Sequence, residues 1–265
     1  MPPSLREIAE DAGAYVLPAP GDLCVELPDV VLHHRPASDT FQGHDASRLR
    51  LPADPLRRIE DIRQWFRSQG TTRWMWILGP SSTPADLASH LRAGRDVRAA
   101  EEAGHRALSL DHEPAAGPAD VRIREVRTFE AFCQLDEVQS IAFGETDDQR
   151  ATMIASRPER WRTLRTSGEV ALLCLLDGQA VAAASMAPLE HGAWFLLGGA
   201  TIPEARGRGL YRALVHARWV EAVARGGSAL VVHAGSMSAP ILQRQGFIDA
   251  GRIDLLLERD ESGPG

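Results

Sequence analysis

The sequence predicts an α/β (α+β) fold in which a mixed, mostly antiparallel sheet is flanked by helices, and three observations carry that reading. Apolar runs at 170–176 and 180–186 flank Asp177-Gly178, the dipeptide most typical of a tight hairpin turn. Leu210, Ala213, Leu214, Ala217, Val220 and Ala224 recur at three- and four-residue intervals and so mark one apolar face of a helix. The segment 229–233 that follows is apolar in succession, as an interior strand covered on both faces must be.

The remaining elements fall into order around these. Residues 55–68 and 84–92 read as helices, 73–78 and 106–110 as strands, and 12–52, with scattered Pro, Gly and His, yield no assignable element. Residues 112–120 are rich in Pro, Gly and Ala and separate two patterned regions. They divide the chain into an N-terminal domain at 1–114 and a second domain at 119–260. In the latter, 121–126 alternates as a half-buried strand and 129–141 is helical. Asp147 or Asp148 would cap a second, short helix running to Ile154. A third strand at 194–201 follows the turn at His191-Gly192, and the long helix should stop at Gly226-Gly227. A short helix from 238 to 245 has Ser238 as N-cap and Pro240 in its first turn, where a missing N–H costs nothing. Gly246 closes it, and a last strand covers 253–257.

Bulk composition narrows the function. The 265 residues are 44% hydrophobic and 25% charged, and no apolar run reaches the length of a membrane span. The start lacks the features of a signal peptide, so a cytoplasmic location and no membrane partner are expected. Cys24, Cys133 and Cys174 lie far apart without zinc spacing. They are expected to be reduced and buried, with no metal site. A formal charge of -7 opposes general affinity for nucleic acid.

Chemistry concentrates at Arg206-Gly207-Arg208-Gly209-Leu210-Tyr211, where a strand ends and the long helix begins. The first turn of a helix leaves N–H groups unpaired at the positive end of its dipole, and glycines let the backbone approach a phosphate closely. With this loop in that element order, residues 119–258 resemble the GNAT acyltransferase superfamily, whose signature is Arg or Gln, two residues, Gly, one residue, then Gly or Ala. Arg206 and Gly209 match; Tyr211 departs from the last position. The resemblance implies an acetyl-CoA-dependent N-acyltransferase. The N–H groups of 207–211 would wrap the diphosphate, Arg206 would add charge, and Tyr211 would reshape the groove.

The same resemblance assigns Gly199, Ala200, Thr201 and Ser238 to the cofactor, with Gly198-Gly199 marking a bulge in the strand that polarises the thioester carbonyl. Its second motif reads here as Gly235, Ser238, Ile241-Leu242 and Gly246-Phe247. Gly235 replaces an Asn, and Leu242 replaces the Tyr that protonates the departing thiolate, so the usual general acid is absent. Transfer to a primary amine also needs a proton acceptor. His233 at a strand end, Ser236 in the next loop and Glu145 between two helices are the candidates; each also has a structural reading, as a hydrogen-bonded histidine, a loop serine satisfying its own backbone and a solvated carboxylate. The expected partners are acetyl-CoA and a small-molecule amine, and a noncatalytic acyl-CoA-binding module is the alternative. The N-terminal half resembles a degenerate second copy: its helix at 55–69 follows Arg50-Leu51-Pro52-Ala53-Asp54-Pro55, without a glycine-rich turn. It should bind no CoA and either wall the acceptor pocket or extend the structure.

Overall fold

The computed structural model describes residues 2–36, 43–93, 95–99 and 104–260; residues 37–42, within the stretch that yields no sequence-assigned elements, lie outside them. The first half runs α1 (Leu5–Glu10), β1 (Leu23–Glu26), β2 (Val31–His34), β3 (His44–Ser47), α2 (Leu56–Ser68), β4 (Arg73–Leu78), α3 (Leu87–Arg92), β5 (Val97–Ala99) and β6 (His105–Leu110). The second runs β7 (Arg122–Glu125), α4 (Phe129–Phe143), α5 (Asp147–Thr166), β8 (Val170–Leu176), β9 (Gln179–Pro188), β10 (Ala193–Thr201), α6 (Leu210–Ala224), β11 (Ala229–Ala234), α7 (Ala239–Gln243) and β12 (Ile248–Arg259).

Among the described residues all strands join one 12-stranded sheet in the order β1-β2-β3-β4-β12-β6-β11-β10-β9-β8-β7, with β5 on β12. The sheet is mostly antiparallel; the parallel pairs are β3 with β4 and β10 with β11. The halves exchange strands. β6 lies between β11 and β12, and β12 pairs with β6 through Ile253 and then with β4 from Asp254 onward. The segment 112–120 therefore links an inner strand to the far edge of the sheet by crossing α6. Glu113 reaches His216 at 3.0 Å, and a Cβ on Gly117 would run into Ala213.

Local chemistry accounts for the elements. Asp177 and Gly178 both take positive φ (51° and 81°), as the two-residue turn of the β8–β9 hairpin requires. α6 buries Leu210, Leu214 and Val215 against β8 to β11, while α4 packs Phe132, Leu135 and Val138 on the opposite face. α2 covers the N-terminal part with Ile59, Ile62 and Phe66.

Several expectations are corrected. α5 spans 20 residues rather than ending near Ile154, and it buries no residue fully. Ion pairs hold it: Arg157 and Arg160 grip the buried Asp136 of α4 at 2.5 and 2.6 Å. Its cap is Thr146, in a capping box with Gln149, not Asp147 or Asp148. Ser238 precedes α7 but makes no cap bond, since its hydroxyl donates to the Gly235 carbonyl at 3.3 Å. β12 starts at Ile248, five residues before the expected strand. Cys174 is buried, but Cys133 is only partly so and Cys24 is exposed.

Candidate functional site

β10 and β11 run parallel but pair only over Ala193–Phe195 and Ala229–Val231, then diverge. Past Phe195, β10 carries a bulge: its register on β9 steps from Leu197↔Ser185 to Ala200↔Ala183. Gly198 sits in the bulge with φ 52°, and its carbonyl accepts from Gln139 Nε2 at 2.8 Å. The bulge falls where Gly198-Gly199 was expected to place it. Beyond it Ala200 and Thr201 stay paired with β9, and the opposite edge of β10, unpaired with β11 past Phe195, borders the gap.

On the α6 side of that gap lies the glycine loop. Gly207 and Gly209 both have positive φ (77° and 75°), and Gly209 is the N-cap of α6. Such φ values cost a residue with a Cβ about 1–2 kcal/mol, so the loop's path depends on glycine. A Cβ on Gly207 would meet nothing within 4 Å, whereas one on Gly209 would lie 3.1 Å from Pro118 Cγ. Among the described residues, the N–H groups of Gly207, Arg208, Gly209, Leu210 and Tyr211 have no acceptor. Five unpaired donors at the positive end of a 15-residue helix are an arrangement that can hold an anion.

The side chains around the loop depart from expectation. Arg206 turns away: its guanidinium donates to the carbonyls of Thr201 (3.2 Å) and Ala142 (3.0 Å), stapling the loop to the last turn of α4. Arg208 is exposed. The Tyr211 ring folds down onto β10, where a Cβ on Gly199 would lie 2.8 Å from its Cε2. Arg218, 1% exposed, has its guanidinium carbon 5.9 Å from that ring's centroid and donates to the carbonyls of Leu214 and Ser185. Burial pulls the Arg218 pKa down. Leu242, on the inner face of α7, is fully buried in the core, so no proton donor stands at that position.

On the other side of the gap a cavity of about 470 Å³ opens between the two halves of the chain. Leu197 and Gly198 of β10 and His233 of β11 form its inner end. Ala171, Ser185 and Leu197 occupy one row across β8, β9 and β10, and all three face it. The N-terminal half supplies Asp22, Arg35 and Asp45, so it walls this space.

Of the three proton-acceptor candidates only His233 reaches the cavity. Its Nε2 donates to the Ala9 carbonyl at 3.0 Å, which leaves Nδ1 as the acceptor, and its ring stands edge-on to Phe195. Burial is the chief cause that pushes its pKa down to about 4, only partly offset by hydrogen bonds to the backbone of Ala9 and Glu10. The expected titration near neutrality is thereby moved to acid. Ser236 is exposed in the loop after β11. Glu145, just past α4, turns Oε2 inward without a hydrogen-bond partner among the described residues. Neither lines the cavity.

Sequence reasoning missed Glu169, Asp22 and Arg35. For Glu169 a signal existed: it precedes the apolar run of β8 and shares the parity of Ala171, hence the same face. Its pKa is raised, mainly by burial.

No family model matches the sequence, and no curated protein matches it. The fold does have solved counterparts. A GCN5-related N-acetyltransferase from Kribbella flavida aligns with TM-score 0.65 at 16% identity over 96% of this chain and 95% of its own. A tandem GNAT protein from the clavulanic acid biosynthesis pathway aligns over 100% of this chain and 89% of its own, with TM-score 0.56 and 13% identity. A putative acetyltransferase of the GNAT family from Novosphingobium aromaticivorans aligns over 90% and 92%, with TM-score 0.54 and 18% identity. The fold is thus that of the GNAT acetyltransferases, including a tandem example. No helix among the described residues is long and apolar enough to cross a membrane.

Proposed function

We propose that the protein is an acyl-CoA-dependent N-acyltransferase of the cytoplasm that moves an acetyl or other short acyl group to a primary amine of a small molecule. One observation carries the reading: the gap between β10 and β11 has five unpaired amide donors on one side and a cavity of about 470 Å³ on the other. A diphosphate fits the donors, an extended pantetheine arm fits the gap, and an amine fits the cavity. That is the layout needed to bring two substrates into line.

Bound there, CoA would supply an acyl thioester with a good leaving group. The residues of the chain do the rest. The amides of 207–211 hold the diphosphate, and the edge of Gly199 and Ala200 opposite β9 holds the arm, the Thr201 carbonyl being taken by Arg206. The bulge at Gly198 aims a backbone N–H at the carbonyl on which negative charge develops. As the amine nitrogen bonds to that carbon, the carbon–sulfur bond breaks and sulfur keeps the electron pair. The amine's surplus proton goes to the cavity side, where His233 Nδ1 is the acceptor. Its pKa of about 4 keeps the ring neutral at physiological pH and makes it a weak base, so it passes the proton on to solvent rather than holding it. Ser236 and Glu145 sit apart from this path, and we assign them no step.

A second reading, a noncatalytic acyl-CoA-binding module, is favoured by the buried Leu242 and by Gly235, which leave the departing thiolate without a phenol. Release of free thiol from acetyl-CoA across a panel of amines separates the two. Transfer requires release with at least one acceptor; tight binding with no release for any acceptor supports the binding module.

A further inference from the structure

The acceptor cavity contains a carboxyl group that the transfer reaction does not use. Glu169 immediately precedes β8, and Val170, Met186 and Leu196 form one row of the sheet. Glu169 therefore lies in the next row, beside Ala187 and Phe195, and faces the cavity with them. Among the described residues it makes no ion pair and its carboxylate accepts no hydrogen bond. Arg35 is the nearest opposing charge, but it is engaged elsewhere, 3.8 Å from Asp22 and 3.4 Å from Asp45. Arg160, on another wall, is held by Asp136 at 2.6 Å and lies over the Phe132 ring. His33 faces Asp45, not Glu169. Burial raises the Glu169 pKa, Asp22 adds to the rise and Arg35 opposes it. Half-buried and without a protein partner, the carboxylate is open to a cation that enters the cavity, and pairing there would be a charge-assisted hydrogen bond.

Its position sets a length. β8 and β10 are two strands apart, about 10 Å at about 4.8 Å per strand, and Leu197 lies two residues beyond the Glu169 row, so the Glu169 end of the cavity is roughly 12 Å from the bulge at Leu197 and Gly198. The floor between them is apolar or small: Ala187, Phe195 and Leu197. We infer that the acceptor is a dication, with one amine placed at the β10–β11 gap and a second cationic nitrogen held by Glu169 across an apolar spacer. The inference rests on the acyltransferase reading for the first amine, whereas capture of the second nitrogen is a binding property of the cavity alone.

The test is calorimetry on the intact chain with a series of α,ω-diaminoalkanes and the n-alkylamines of equal length, repeated with Glu169→Gln and paired with a thiol-release assay. The expected result is that a long diamine binds about tenfold or more tighter than its matched monoamine, in keeping with a hydrogen-bonded charge pair. Glu169→Gln, which keeps the shape, should abolish that preference and leave monoamine affinity unchanged. Equal affinity of diamine and monoamine, no diamine binding, or a preference that survives in Glu169→Gln would overturn the inference. Thiol release that is as efficient with monoamines as with diamines would overturn it while the transferase reading stands. Diamine binding that needs Glu169 but brings no thiol release with any amine would sink the transferase reading and leave the dication site in place.

Discussion

The two halves of the chain build the same crossover and finish it differently. In each, a strand leads through a helix to a parallel neighbour: β3, α2, β4 in the first half and β10, α6, β11 in the second. In the first half the chain beyond β3 is closed over. Leu51 N–H donates to the Thr83 carbonyl and Thr83 N–H to the Leu49 carbonyl, both at 3.1 Å, so the residues after β3 and after β4 bridge. Arg50 is tied to Asp11 at 2.7 Å, Leu49 and Leu51 are in the core, and Pro52 and Pro55 have no N–H to offer. In the second half the strands diverge, a bulge bends one away, and a glycine loop leaves five donors unpaired. The comparison teaches that a ligand site in this architecture depends on backbone donors left without protein partners. One half satisfies them itself and becomes a wall of the other's cavity.

The largest expected effect tests whether the halves are one unit. Glu258 of β12 is 1% exposed and accepts from Arg63 Nε and Trp76 Nε1, both at 2.7 Å. Glu258→Ala strands a buried arginine and should cost about 3–5 kcal/mol. Because β12 runs through both halves, chemical denaturation followed by fluorescence and by far-UV dichroism should give one coincident transition. Two separated transitions would break the account of exchanged strands.

Next in size is His233→Gln. As the proton acceptor, its loss should lower kcat/KM by roughly a hundredfold with near-normal CoA affinity. The same variant has a stability signature. The folded pKa is about 4 against an ordinary 6.5, so as pH falls the unfolded chain takes up the proton first and wild-type stability declines between those values. The Gln variant should lose less over that window in thermal melts, and an identical pH dependence would show that His233 does not titrate this way.

A smaller effect is expected from Gly207→Val. The new side chain meets open space, so only the positive φ is penalised, and re-aiming the amides should weaken acetyl-CoA by about 1–2 kcal/mol. Smallest is Thr83→Ala in the closed half. It removes the Thr83 hydroxyl bond to the Leu51 carbonyl (2.9 Å), should cost about 1 kcal/mol of stability, and should leave acetyl-CoA affinity unchanged in the same titration.

What could be read from the sequence follows from the range of the forces involved. The β8–β9 hairpin and α6 were legible because a turn dipeptide and an apolar stripe are local signals. The glycine loop was legible for the same reason. The far half of α5 was not, since it is held by Arg157 and Arg160 on Asp136 rather than by an apolar face. β1 was invisible because its four residues are mostly exposed. The strand exchange is a non-local pairing, and no pattern near 105–110 or 248–259 announces its partner. Arg206 fits the family motif, but its side chain proved to be a structural staple, since a motif fixes a backbone path and not where an arginine points. The cavity escaped notice because residues as distant as Asp22 and Glu169 meet only after the sheet has formed.

The central claim is that the open gap in the second half, and nothing in the first, accepts the CoA diphosphate. Titration of the intact chain with acetyl-CoA by calorimetry tests it most directly, with inorganic diphosphate as competitor. The account expects one equivalent bound per chain, displaced in part by diphosphate. Two equivalents, none, or one that diphosphate leaves untouched would contradict it.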